Sequence, residues 1–122
     1  LVYFFKGVGR VASRLLATPP SQITVPTVVV YELEVGIAKS AEPEHRRRQL
    51  ERFLEAVEVL PFGRTEARSA AAVRARLESL GTPIGPLDTL IAGTALAAGA
   101  VLVTHNTAEF SRVETLTLED WY

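Results

Sequence analysis

Asp88 is the one formal charge between Ser79 and Ala108, set in Pro83-Ile84-Gly85-Pro86-Leu87-Asp88-Thr89-Leu90-Ile91-Ala92. An ionised carboxylate among apolar and small residues is costly unless a partner, a helix N-terminus or a cation compensates it. No Lys or Arg lies near it in sequence. Taken alone, a place at a helix start explains it as readily as a site does. Two further acids share the pattern. Glu32 stands in Val28-Val29-Val30-Tyr31-Glu32-Leu33, soon after a strand-like segment, and Glu109 follows His105-Asn106-Thr107 beyond the strand-like Val101-Leu102-Val103-Thr104. Each also reads as an ordinary solvated acid. Glu34, two positions from Glu32, faces elsewhere on a helix. Glu32, Asp88 and Glu109 all follow expected strands or open helices at what should be one end of a parallel sheet. Clustered carboxylates repel unless protonated or neutralised. Without Lys or Cys beside them, the natural neutraliser is a hard divalent cation, Mg²⁺ or Mn²⁺, which prefers oxygen ligands. The chemistry this implies is metal-assisted phosphodiester hydrolysis.

The elements that must position these acids alternate between helices and short strands. Leu1 to about Leu16 reads as the end of an apolar segment followed by a helix, broken at Thr18-Pro19-Pro20. Gln22-Ile23-Thr24-Val25 reads as a strand stopped by Pro26. The β-branched run at Val28 favours strand, but Pro26 followed by a long segment without turn signals favours a helix, which is the expectation here. Leu50, Phe53, Leu54 and Val57 recur at the spacing of one buried helical face, and Val57 to Leu60 forms a strand closed by Pro61. Arg64 to Leu80 reads as a helix rich in small residues, suited to close packing, with Gly81 as its cap. Gly85-Pro86 opens another helix running to about Gly99 and feeding the strand Val101–Thr104. Thr115-Leu116-Thr117-Leu118 alternates like an edge strand. Helices interleaved with short apolar strands imply one α/β domain, with a parallel sheet covered on both faces and sites at the carboxyl ends of its strands.

Composition sets the remaining bounds. The 122 residues suffice for one domain with a real core, and no apolar run is long enough for a membrane span. Thirteen basic and fourteen acidic residues leave the chain near neutrality, without the global signature of a nucleic-acid binder. The absence of Cys excludes disulfides, thiolate chemistry and Cys-based zinc sites, and suits a reducing cytosol. The opening Leu1-Val2-Tyr3-Phe4-Phe5-Lys6-Gly7 lacks an initiating Met and the pattern of a signal peptide, and is read as a truncated beginning.

Four motifs in order carry a resemblance. Tyr31-Glu32-Leu33-Glu34-Val35-Gly36 comes first, followed by Gly81-Thr82-Pro83-Ile84-Gly85-Pro86-Leu87-Asp88-Thr89-Leu90-Ile91-Ala92. Leu102-Val103-Thr104-His105-Asn106-Thr107-Ala108-Glu109-Phe110-Ser111-Arg112-Val113 and the closing Glu119-Asp120-Trp121-Tyr122 complete the series. Over nearly its whole length the chain resembles a PIN-domain toxin of the VapC type. The resemblance implies a three-layer α/β sandwich with a mostly parallel sheet flanked by helices. It also implies a cytoplasmic, Mg²⁺-dependent endoribonuclease of a type II toxin–antitoxin pair, with Mn²⁺ as a substitute. Such a protein cuts RNA, with tRNA or rRNA as candidate substrates, forms a homodimer and is inhibited by a cognate VapB-type antitoxin. By motif, Glu32 matches the family's second acid and Asp88 its third, a principal metal ligand. Glu109 matches the extra acid of members sharing Asn-Thr-x-Glu-Phe, and Asn106 and Thr104 line the site by hydrogen bonding. The departure is at the front. The family's first acid lies in an Asp-Thr-Asn motif on the first strand, immediately before a segment like Leu1–Gly7. Residues 1–122 are therefore expected to be a single PIN-like domain lacking that strand and motif upstream of Leu1, which the natural protein is expected to carry. If the chain starts at Leu1, the alternative is a catalytically inactive, antitoxin-binding module.

Other features have two readings each. His45-Arg46-Arg47-Arg48 with Arg52 either grips RNA phosphates or forms a solvated face with Glu44, Glu51 and Glu55. His105 is a general acid or a turn residue. Tyr3-Phe4-Phe5 is an antitoxin groove or core, and Trp121 and Tyr122 cover the sheet edge. A receiver-like phosphate-accepting domain also uses clustered acids and Mg²⁺, but it needs a Lys after a late strand, and none follows Lys39.

Overall fold

The structure is a computed structural model and describes residues 3–5 and 19–120. The helix read up to Leu16, the roles read for the Tyr3-Phe4-Phe5 side chains, and the covering role of Trp121 and Tyr122 lie outside what is described. Five strands form one sheet: β1 (Tyr3–Phe5), β2 (Ile23–Pro26), β3 (Glu58–Leu60), β4 (Val101–Val103) and β5 (Thr117–Glu119), in the order β3-β2-β1-β4-β5. Every pairing is parallel. Parallel neighbours need crossover connections. Among the described residues, helices connect successive strands: α1 (Thr27–Ala38) and α2 (Pro43–Ala56) lie between the neighbours β2 and β3, and α3 (Arg64–Ser79) and α4 (Pro86–Ala98) carry the chain from β3 to β4 across the sheet. A four-residue helix, α5 (Thr107–Phe110), lies between β4 and β5.

The sequence reading placed the central strand upstream of Leu1. In the sheet that place is held by Tyr3–Phe5, paired with β2 on one side and β4 on the other. Its aromatic run suits a strand. The ambiguous Val28 run is helical, as expected. Pro26 ends β2 with an extended backbone at the N-cap of α1, and the Thr27 hydroxyl donates to the Leu60 carbonyl at 2.8 Å, tying the start of α1 to the end of β3.

The tightest helix contact is the crossing of α3 and α4. A Cβ at Gly93 would stand 2.5 Å from the Ala70 backbone, so only glycine allows this approach. The Ser69 hydroxyl donates to the Gly93 carbonyl across the same crossing at 2.7 Å. This is the close packing that the small residues of α3 implied. At the C-terminus of α4, Gly99 takes φ 62°, and the amides of Gly99 and Ala100 return to the carbonyls of Leu96 and Ala95. That left-handed cap turns the chain directly into β4. Ile91, Ala92 and Ala95 of α4 pack with Leu102 of β4, Val25 of β2 and Phe110 of α5 in one core. Asp88, three residues into α4, is thereby fixed relative to the sheet.

Candidate active site

In an open parallel sheet, ligands bind outside the carboxyl ends of the strands, where the strand order reverses. Here the reversal falls between β1 and β4. β4 runs into Thr104, which is buried, and its amide donates to the Glu119 carbonyl at the end of β5. The Thr104 side-chain oxygen accepts from the Asn106 amide at 3.0 Å, shaping the turn that leads into α5. Phe110, fully buried, anchors this short helix in the core. Glu109 is thus held at the carboxyl edge of the sheet, one residue before its anchor.

Both oxygens of Glu109 are engaged. Oε1 accepts from the Gly85 backbone N–H at 2.8 Å, and Oε2 accepts from the Asn106 side-chain amide at 2.6 Å. Asp88 is hydrogen-bonded to the same carboxyl. Both acids also converge on Gly85, where a Cβ would lie 3.7 Å from Glu109 Oε1 and 3.8 Å from Asp88 Oδ2. The Gly85 N–H, above all, holds the Glu109 carboxyl below its ordinary value of 4.5; burial opposes this, while Asp88, Asn106 and the Arg112 guanidinium add to it. Two carboxyls in hydrogen-bonding contact require a shared proton or a cation between them. Such a pair, at the start of an apolar helix, supplies hard oxygen donors of the kind Mg²⁺ and Mn²⁺ accept. The residues present therefore fit the expected ion.

The structure brings together four of the five residues singled out in the sequence: Asp88 and Glu109 as the pair, with Asn106 and Thr104 behind them. Glu32 stands apart. It is half-buried on α1, in the wall of a groove between α1 and α2. Among the described residues, no three of His, Cys, Asp and Glu come together as a metal-ligating group. His105 is exposed, with Nδ1 3.3 Å from Asp120 Oδ2, as suits a turn residue. Two contributors had no signal in the sequence reading. One is the Gly85 amide, since any residue but proline offers an N–H. The other is Arg112, whose Nη1 donates to the Pro83 carbonyl at 2.9 Å and ties the loop before α4 to the segment after α5. The position of Arg112 at the end of the Asn106–Glu109 motif is the one hint the sequence offered.

Comparison with known proteins identifies the family and the fold. The PIN domain family model matches residues 1–116. This chain belongs to the PIN domain family. It is 38% identical over 100 residues to the tRNA(fMet)-specific endonuclease VapC of Shigella flexneri, covering 82% of this chain and 76% of that protein. The Haemophilus influenzae ribonuclease VapC1 is 32% identical over 123 residues, covering 99% of this chain and 92% of its own length. Among solved structures, the PIN fold seen here superposes on DNA-bound VapBC from Salmonella typhimurium with a TM-score of 0.89, at 30% identity, over 100% of this chain and 99% of that one. The expected architecture, a parallel sheet flanked by helices, is the one that forms.

Proposed function

We propose that this PIN domain is the toxin of a type II toxin–antitoxin pair, an endoribonuclease that hydrolyses RNA phosphodiester bonds with Mg²⁺, or Mn²⁺ in its place. The observation that carries this reading is the Asp88–Glu109 pair at the reversal of strand order. VapC relatives named as ribonucleases and a VapBC neighbour support the class of reaction and a VapB-type antitoxin as partner. Among the described residues no helix is long and apolar enough to cross a membrane. We assign the protein to the cytoplasm, as a homodimer, with tRNA or rRNA as the substrate pool.

Asp88 and Glu109 would hold the ion. When bound, it activates water and stabilises charge on the leaving oxygen. The chain's own residues prepare the place. Asn106 and the Gly85 N–H fix the plane of the Glu109 carboxylate beside Asp88. Thr104 holds the backbone of Asn106, and Arg112 holds the loop that presents Gly85. The apolar first turns of α4 limit water around Asp88, which strengthens its attraction for a cation. Glu32, half-buried on α1, would add a further carboxylate to the acids that attract the ion. Induced expression of the protein from its whole reading frame should arrest growth and produce discrete RNA fragments. Asp88→Asn should abolish both, and co-expressed antitoxin should relieve the arrest. Equal arrest by the Asp88→Asn protein would contradict the assignment.

A further inference from the structure

We infer that the groove between α1 and α2 binds the backbone of single-stranded RNA flanking the cut, with Arg46 and Gln49 on a phosphate; the inference rests on the ribonuclease reading above and adds the substrate path to it. The groove has a volume of ≈ 520 Å³, and its walls include Glu32, Leu33, Gly36, Arg46, Gln49 and Phe53. α1, one wall of the groove, also packs against α4, the helix that carries Asp88.

The structure separates arginines that the sequence presents as one run. Arg47 is ion-paired with Glu34 across the α1–α2 hairpin at 3.6 Å. Arg48 lies in a different hollow, beside Glu42 and Glu44. Arg46 alone of the three lines the groove, and no ion pair to it forms among the described residues. With the Gln49 amide one turn on, it offers donors on the rim of an apolar trough. That combination suits a phosphodiester strand, whose oxygens take the donors while a base lies on Leu33 and Phe53.

Gly36 is the second, independent observation. It sits inside α1, where glycine costs helix stability, and a Cβ there would meet nothing within 4 Å. Among the described residues, no packing requires the missing side chain. A bare stretch of helix backbone in the groove wall instead permits close approach of a ligand.

The test is equilibrium binding of a fluorescein-labelled single-stranded oligoribonucleotide of mixed sequence to the full-length protein, followed by anisotropy over a range of KCl. Asp88→Asn serves as a non-cutting background. Arg46→Ala should weaken binding about tenfold. It should also reduce the salt slope by about 0.7, the share of one single-strand phosphate. Arg47→Ala should change neither. Gly36→Ala should raise the thermal midpoint and yet weaken RNA binding, a combination that general damage to the fold cannot produce. RNA binding by Arg46→Ala or Gly36→Ala equal to that of the background protein would overturn the inference. Loss of antitoxin binding alone in those variants would likewise assign the groove to the antitoxin. Should the protein with Asp88 intact fail to cut RNA, the ribonuclease reading fails, while the binding arm still decides the groove.

Discussion

Glu109 shows how a carboxylate is prepared by groups that no single residue type announces. Its folded-state value lies below the ordinary 4.5, chiefly through the Gly85 N–H. A depressed carboxylate contributes stability that is fully present above its unfolded value and is lost as pH falls through the folded one. Glu109→Gln should therefore be less stable than the parent near neutrality. The gap should narrow as pH drops below 4.5, as read from urea midpoints across pH. Asn106→Ala removes the donor to Oε2 while leaving both acids in place. Loss of such an orienting partner should weaken Mn²⁺ binding at least about tenfold, measured by calorimetry. The sequence displayed Asp88, Glu109, Asn106 and Thr104 because an acid in an apolar run and a polar turn after a strand are visible as residue types. The Gly85 amide and the Pro83 carbonyl were invisible, since backbone groups are common to nearly every position. Glu32 was visible too, but its distance from the pair depends on how far along α1 it sits, and residue type does not give that.

At the scale of elements, the site depends on the seating of α4, and that seating depends on Gly93. Alanine there would place a Cβ 2.5 Å from Ala70 backbone atoms, which a side-chain rotation cannot relieve. We expect Gly93→Ala to cost about 1–3 kcal/mol in urea unfolding, with Mn²⁺ binding weakened as α4 shifts. The long helices were legible because periodicity and punctuation agreed. Leu50, Phe53 and Leu54 marked one face of α2, Pro86 opened α4 and Gly99 closed it. The Val28 run tested that agreement, because side-chain preference favoured strand while the chain after Pro26 favoured helix, and the helix formed. α5 escaped notice: four residues give no periodicity, and its buried Phe110 reads equally as a loop anchor. Tyr3–Phe5 went unrecognised as a strand for a related reason. A strand of three residues, Tyr3–Phe5, cannot be told from the tail of an apolar segment.

Over the whole molecule, parallel pairing sends all five carboxyl ends to one side, and the order β3-β2-β1-β4-β5 puts its reversal beside β4. Alternating helices and strands implied the parallel sheet, but the lateral order of strands is a long-range property that local patterns do not encode. The series of motifs carried more information than any single acid. It joined Glu32, Asp88 and Glu109 to one family, and PIN membership over residues 1–116 agrees. The central claim, that Asp88 and Glu109 form one metal-dependent nuclease site, is tested most directly by cleavage of a purified tRNA pool by the protein made from its whole reading frame. The reactions would contain Mg²⁺ or Mn²⁺, with Asp88→Asn and Glu109→Gln prepared identically and a chelator control. The account predicts discrete cuts by the parent that vanish with chelator, vanish with Asp88→Asn and fall at least about tenfold with Glu109→Gln. Undiminished cutting by both variants, or by the parent in chelator, would contradict it.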